Sequence, residues 1–209
     1  MKFAVLGTGA VGRTLARRFA ELGHEIVLTA RNLEGERMAE ARRAVPSARV
    51  QPAVGAAAGA DAIVLATQYP DAAAALAGLG DIAGKIVIDA TNPLKPDLSG
   101  LSIGLETSAG EELQRAFPAA RFVKAFNTTG YNVMAAPPKG ALMLIAGNDA
   151  DARAVVIGLA RDIGFDARDA GPIERSRLLE PLAMLWITLA YRQGFGRDYA
   201  FATIPNEAV

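Results

Sequence analysis

Phe3-Ala4-Val5-Leu6-Gly7-Thr8-Gly9-Ala10-Val11-Gly12-Arg13 is the stretch whose reading decides the fold. The run Lys2–Leu6 is apolar and strand-like, and Ala10–Leu22 is an Ala-, Leu- and Arg-rich stretch of helical length. Alone, a Gly-x-Gly-x-x-Gly string is weak evidence; between a strand and a helix it is a dinucleotide fingerprint. Gly7 permits the tight turn, Gly9 lets a pyrophosphate approach the backbone, and Gly12 allows the helix to pack closely on the strand. The helix N-terminus, with Thr8, Ala10 and Val11 around it, then offers N–H groups and positive dipole to phosphates. The competing reading is a glycine-rich turn in an α/β domain that holds no nucleotide.

Working outward, the same rhythm repeats. Glu25–Thr29, Ala62–Thr67, Lys85–Asp89, Arg121–Phe126 and Leu142–Ala146 are further strand-type runs, and Phe165–Asp169 is a weaker seventh. Leu33–Ala44, Asp71–Leu79, Ala109–Phe117 and Ala150–Ile163 have helical composition and length. This is the βαβ pattern of a parallel sheet covered on both faces, whose strands read as unbroken apolar runs because neither face meets water. The expected class is α/β, a Rossmann-type, doubly wound, mostly parallel sheet. Residues 1–170 are expected to form the dinucleotide-binding domain and 171–209 a helical C-terminal extension, packed on the active-site side or on a dimer partner. In that extension Leu178, Leu179, Leu182, Leu185, Trp186 and Leu189 recur at helical spacing, and Pro181 predicts a kink or break near Glu180. Ser108 with Glu111 has capping-box spacing. Arg177 and Glu180 stand three apart, which predicts an intrahelical ion pair.

Composition narrows the chemistry. Of 209 residues 51% are hydrophobic and 21% charged, enough apolar surface for a substantial core. With no Cys and one His, thiolate metal sites, cysteine nucleophiles and multi-imidazole sites are excluded, and no carboxylate cluster suggests a metal. Lys plus Arg and Asp plus Glu are both 22, so no net positive charge argues for nucleic acid. The apolar start runs into Gly7, Gly9 and Arg13, a poor signal segment, and Pro181–Tyr191 is about half a bilayer span. A cytoplasmic protein without membrane insertion is expected. His24 lies in the turn after the first helix, on the rim opposite the strand carboxyl ends, and reads as structural.

The second strand ends in Leu28-Thr29-Ala30-Arg31-Asn32. An NAD site usually places an acid there for the ribose 2′-hydroxyl; Arg31 can instead pair with a 2′-phosphate, with Thr29 and Asn32 adding hydrogen bonds. NADP(H) is therefore expected, unless Arg31 is simply a solvated strand-end residue. Three further strand ends should meet at the nicotinamide half: Thr67-Gln68-Tyr69, Asn92-Pro93-Leu94 and Asn127-Thr128-Thr129. Asn92, Asn127 and Thr128 could bond ribose or carboxamide, and Tyr69 could lean on a ring. Asn92-Pro93 is also a plain turn signal, and Tyr69 also fits a half-buried core aromatic. Asn127 and Thr128 are the catalytic candidates, acting by positioning.

The Gly7–Gly12 fingerprint, Arg31, Lys124-Ala125-Phe126-Asn127-Thr128-Thr129 and above all Asp169-Ala170-Gly171-Pro172 with Ser176-Arg177-Leu178 and Glu180-Pro181-Leu182 resemble the NADPH:coenzyme F420 oxidoreductase family. The same block is similar to the cytosolic NADPH-binding domain of six-transmembrane metalloreductases. The resemblance implies a Rossmann domain, NADPH held by Thr8 to Gly12 and Arg31, hydride exchange with a flavin or a 5-deazaflavin of the F420 kind, and often a homodimer. Where relatives carry a further basic residue or a serine in the 2′-phosphate loop, this chain has Gly35 and Ala30. Two other readings stay open: an NADP-dependent dehydrogenase or imine-type reductase of a small substrate, and a non-catalytic NADP(H)-sensing module.

Overall fold

The computed structural model describes residues 1–204 and 206. Pro205 and residues 207–209, the end of the expected extension, lie outside the described residues.

Strands β1 (Lys2–Leu6), β2 (Glu25–Thr29), β3 (Arg49–Val50), β4 (Ala62–Leu65), β5 (Ile86–Asp89), β6 (Arg121–Lys124), β7 (Leu142–Gly147) and β8 (Asp166–Gly171) form one sheet in the order β3-β2-β1-β4-β5-β6-β7-β8. All neighbours are parallel except β6 and β7. Along β1, Phe3 and Val5 point into one apolar layer, and Ala4 and Leu6 into the other. In β4, Ala62 and Val64 alternate in the same way with Ile63 and Leu65. Both faces are thus buried, the arrangement that the unbroken apolar runs require. The doubly wound α/β class is the one read from the sequence.

One face is covered by α1 (Ala10–Glu21), α2 (Glu36–Ala44), α5 (Tyr131–Ala135) and α6 (Ala150–Ile163), the other by α3 (Tyr69–Ala77) and α4 (Ala109–Ala116). Phe3 stacks on Phe19 with centroids 4.7 Å apart, which locks α1 to β1. His24 closes this cluster edge-on, with its Nδ1 3.2 Å from the N-terminal amine. The Ser108 hydroxyl caps α4 by accepting from the Glu111 N–H at 3.2 Å, as the spacing predicts. The edge strand β3 and the five-residue α5 carry no pattern long enough to be read from sequence.

After β8 the chain passes through a 3₁₀ turn (Ile173–Arg175) into α7 (Ser176–Arg192). Of the kink or break expected near Glu180, the break does not occur: α7 runs through Pro181. The ring removes one N–H in the second turn. Burial of Leu179, Ala183, Trp186 and Ala190, with the anchoring of Glu180 described below, offsets that loss. The expected Arg177–Glu180 pair is not formed either. Arg177 reaches across to Glu111 at 2.7 Å, holding that carboxyl below the usual range through its hydrogen bond, while Glu180 points inward.

Candidate active site

Strand order reverses between β1 and β4, so the crevice beyond their carboxyl ends is where an open α/β sheet binds ligands. Here the crevice is a cleft of about 1180 Å³. Its walls include Gly7, Thr8, Gly9, Ala10 and Val11 from the loop into α1, Arg31 and Asn32 after β2, and Thr67 and Gln68 after β4.

The three glycines are there for three different physical reasons. Gly7 has φ +108°, and a Cβ on it would lie 2.6 Å from the Ala66 carbonyl oxygen. A Cβ on Gly12 would fall 2.0 Å from the Gly7 oxygen, so only glycine lets α1 pass this close. Gly9 has an ordinary φ of −68° and nothing within 4 Å of its would-be Cβ. Space is left in front of Gly9 and withheld at the other two. The N-terminus of α1 has no side-chain cap and no acid in its first turn. Such a wall suits an anion that takes its hydrogen bonds from backbone N–H groups.

At the far side of the cleft Arg31, 86% exposed on its side chain, forms a 3.1 Å ion pair with Asp71 at the start of α3. Asn32 accepts from the Glu34 N–H at 3.0 Å and shapes the turn into α2. Thr29 is fully buried beneath this region, and its hydroxyl has no partner. The Thr67 hydroxyl is likewise buried and unpaired.

The ends of β5 and β6 form a second cluster. Asn92 donates to the Asn127 carbonyl at 2.8 Å, and the Asn127 amide donates to Asn92 Oδ1 at 3.0 Å and to the Leu179 carbonyl at 3.3 Å. Phe126, just before this clasp, has φ +61°, a backbone conformation that costs a bulky residue of order 1–3 kcal/mol. Phe19 and Phe165 hold it there, edge to face at 6.2 Å each. The consequence is a sharp bend that turns Asn127 and Thr128 off the strand line. Asn127, only 5% exposed, keeps Oδ1 buried and unpaired. Pro93 closes the loop by accepting through its carbonyl from the Ser102 N–H at 2.7 Å. Tyr69 does not line the cleft: its hydroxyl donates to Glu112 at 2.6 Å and its ring packs on the α3–α4 face. Burial, then the Glu112 contact, pushes its pKa far upward, so it stays protonated.

Sequence reasoning missed the polar group beneath the clasp. Asp89 and Lys124 are register partners on β5 and β6, and Lys124 Nζ lies 2.7 Å from Asp89 Oδ2 and 2.9 Å from Glu180 Oε1. All three side chains are 0–1% exposed. Burial alone would push the ammonium down; the Asp89 and Glu180 carboxylates hold it above its ordinary value. Glu180 also accepts from the Ala109 and Gly110 N–H groups at 3.0 and 3.1 Å, so a carboxylate from α7 fills the N-terminus of α4. A signal was available: Asp89 and Lys124 each stand in an apolar run of a fully covered strand, and buried charges require partners. Among the described residues, no group of three or more His, Asp or Glu side chains could hold a metal.

Residues 2–93 match the family model described as NADP oxidoreductase, coenzyme F420-dependent. The chain is 31% identical to the F420-dependent NADP reductase of Methanothermobacter thermautotrophicus, over 92% of this chain and 90% of that one. The chain belongs to the coenzyme F420-dependent NADP oxidoreductase family. It is also 29% identical to the metalloreductase STEAP3 of Rattus norvegicus, over 88% of this chain but 37% of that longer protein. A crystal structure from Arthrobacter sp. FB24, a candidate F420-dependent NADP reductase, superposes with a TM-score of 0.86 at 35% identity, covering 94% of this chain and 96% of that one. The family resemblance read from the sequence is thereby shown.

Proposed function

We propose that the cleft at β1–β4 holds NADP(H) and that a flavin or 5-deazaflavin of the F420 kind stacks at the Asn92–Asn127 clasp to exchange hydride with it. As a family member the chain is an NADP(H)-dependent oxidoreductase. The observation that carries the site reading is the open space at Gly9 before an uncapped helix N-terminus, within one cleft that also contains Arg31. These residues fit the cofactor: α1 receives the pyrophosphate, and Arg31 pairs with the 2′-phosphate. The unpaired Asn127 Oδ1 accepts from the carboxamide. The bound nicotinamide supplies the hydride at C4.

What remains for the protein is positioning, which suits a site with no Cys and its one His on the other rim. Tyr69, protonated and committed to Glu112 on the α3–α4 face, serves no proton transfer. Thr67, Gln68, Asn92, Pro93 and Thr128 frame the stacked rings. Residues 1–170 form the cofactor domain in this reading, and 171–209 complete the acceptor side through α7. The exposed Leu178 and Leu185, at 64% and 49%, give α7 an outer apolar stripe for a homodimer. Among the described residues no helix is long and apolar enough to cross a membrane.

The test is NADPH oxidation followed at its absorbance band with coenzyme F420, with free flavins and with a panel of small carbonyls and imines. Turnover with F420 or a flavin is the expected result. Efficient turnover of a carbonyl or imine with no flavin-type activity would replace the acceptor reading by the small-substrate one. Tight NADPH binding with no turnover of anything would favour a sensing module.

A further inference from the structure

The buried charges beneath the clasp do more than fill the core. Lys124 Nζ is ion-paired to Asp89 Oδ2 at 2.7 Å and to Glu180 Oε1 at 2.9 Å, and it donates a hydrogen bond to the Thr91 carbonyl at 2.9 Å. Asp89 spends its other oxygen on the Thr91 N–H at 2.9 Å and the Thr91 hydroxyl at 2.7 Å. Asn92 follows Thr91 directly, Leu179 precedes Glu180, and Asn127 lies three residues beyond Lys124. The Asn92–Asn127–Leu179 contacts therefore close a ring whose other side is the Asp89–Lys124–Glu180 triplet.

We infer that this triplet is the positioning element of the nicotinamide end: by fixing the loop after β5, the bend after β6 and helix α7 relative to one another, it holds Asn127 Oδ1 where a ring amide must meet it. The inference rests on the functional reading above. Three segments that do not adjoin in sequence have to agree at one side-chain amide, and a misplacement of about 1 Å remote from the reacting atoms can cost on the order of 100-fold in rate. A buried hub in which two carboxylates share one ammonium resists sliding in a way an apolar contact does not, since any shift leaves a buried charge unpaired. Glu180 adds the link to α4, and so ties α7 to the sheet through both a side chain and a helix terminus.

The test uses the full chain and two probes: NADPH, and 2′,5′-ADP, which has the adenosine half without the nicotinamide. Glu180→Gln keeps the size of the side chain and removes its charge. It is expected to leave 2′,5′-ADP affinity within about twofold, weaken NADPH about fivefold, and slow hydride transfer at saturating NADPH by about tenfold or more. Amide hydrogen exchange should quicken in residues 91–94 and 126–131 and stay unchanged in residues 7–12. If Glu180→Gln does not fold, Thr91→Val keeps all three charges and carries the same test, with an NADPH-selective loss of about two- to threefold expected. Equal loss of both probes, or loss of neither, overturns the positioning role. The underlying reading fails separately: a wild-type protein that binds neither probe overturns the cofactor site, and an Asn127→Leu protein with unchanged turnover overturns the clasp. Slowed turnover in Asn127→Leu without the selective loss in Glu180→Gln or Thr91→Val overturns this inference alone.

Discussion

Helices α1 and α4 both begin at the carboxyl edge of the sheet, and their N-termini are treated in opposite ways. In front of α1 there is a glycine with open space, no capping side chain and no acid in the first turn. In front of α4 there is a Ser108 cap, two first-turn acids at Glu111 and Glu112, and the Glu180 carboxylate seated on the first two N–H groups. Each helix end offers the same orphan donors and the same positive partial charge. One spends them on something that arrives from outside, and the other on an anion the chain itself supplies from α7. The internal carboxylate is the reason the second terminus needs a lysine nearby, since a buried charge cannot stand alone. The open terminus needs nothing until a ligand comes, and its cost is borne by solvent exposure.

The sharpest way to break this comparison is to unseal the closed side. Lys124→Met should leave the Asp89 and Glu180 carboxylates buried without their cation, and removal of one partner of a buried pair costs about 3–5 kcal/mol. For a domain of this size that lowers Tm by roughly 10 °C. Calorimetry or denaturant melts at neutral pH check it, and a loss under about 1 kcal/mol would show that the triplet is not a unit.

On the open side the effect should fall on binding and spare folding. Gly9→Val adds a side chain into space that is empty in the protein, at a φ that valine tolerates. NADPH affinity should drop by about 100-fold or more while circular dichroism and Tm stay near native. If a titration shows NADPH binding unchanged, the loop is only a turn. The same substitution at Gly12 would fail differently, because its Cβ would strike the Gly7 carbonyl and displace α1.

The two sides also differ in how far the sequence reveals them. The open side is local: strand, glycine turn and helix are consecutive residues, and each glycine's role follows from its place in that short string. The long apolar strands and the Ser108 cap are legible for the same reason. The closed side is not, because Asp89, Lys124 and Glu180 come from β5, β6 and α7, and no spacing rule connects them. Helical spacing alone pairs Glu180 with its near neighbour Arg177, whereas burial directs it to Lys124 and leaves Arg177 to Glu111. Pro181 does not break α7 for a related reason, since the propensity of one residue is outweighed by the tertiary anchoring of the residue before it. For Tyr69 the position after β4 suits both a ring contact and a half-buried aromatic, and only the fold reveals that a carboxylate on α4 claims its hydroxyl.

Arg31 extends the comparison to cofactor choice. It stands 86% exposed at the outer wall of the open side, so water screens it and the lower end of the range for a charge-assisted phosphate contact applies. Arg31→Ala should weaken NADPH about tenfold and leave NADH nearly untouched. Direct titration with both cofactors decides it. Equal loss for both, or none for either, would mean that Arg31 is a solvated strand-end residue.

The smallest effect belongs to Asp71, the one acid that reaches toward the open side from α3. Its carboxylate is paired with Arg31 at 3.1 Å, so a 2′-phosphate entering the cleft must compete with it for the same guanidinium. Both side chains are largely exposed, at 86% and 55%, and exposed pairs contribute about 1 kcal/mol at most. Asp71→Asn should therefore tighten NADPH by no more than about two- to fourfold, leave NADH unchanged, and lose its advantage as added salt screens the competition. Titrations at low and high ionic strength test this. A weaker NADPH complex in Asp71→Asn would mean that Asp71 holds Arg31 in its binding pose, so that the pair prepares the open side for its anion and does not oppose it.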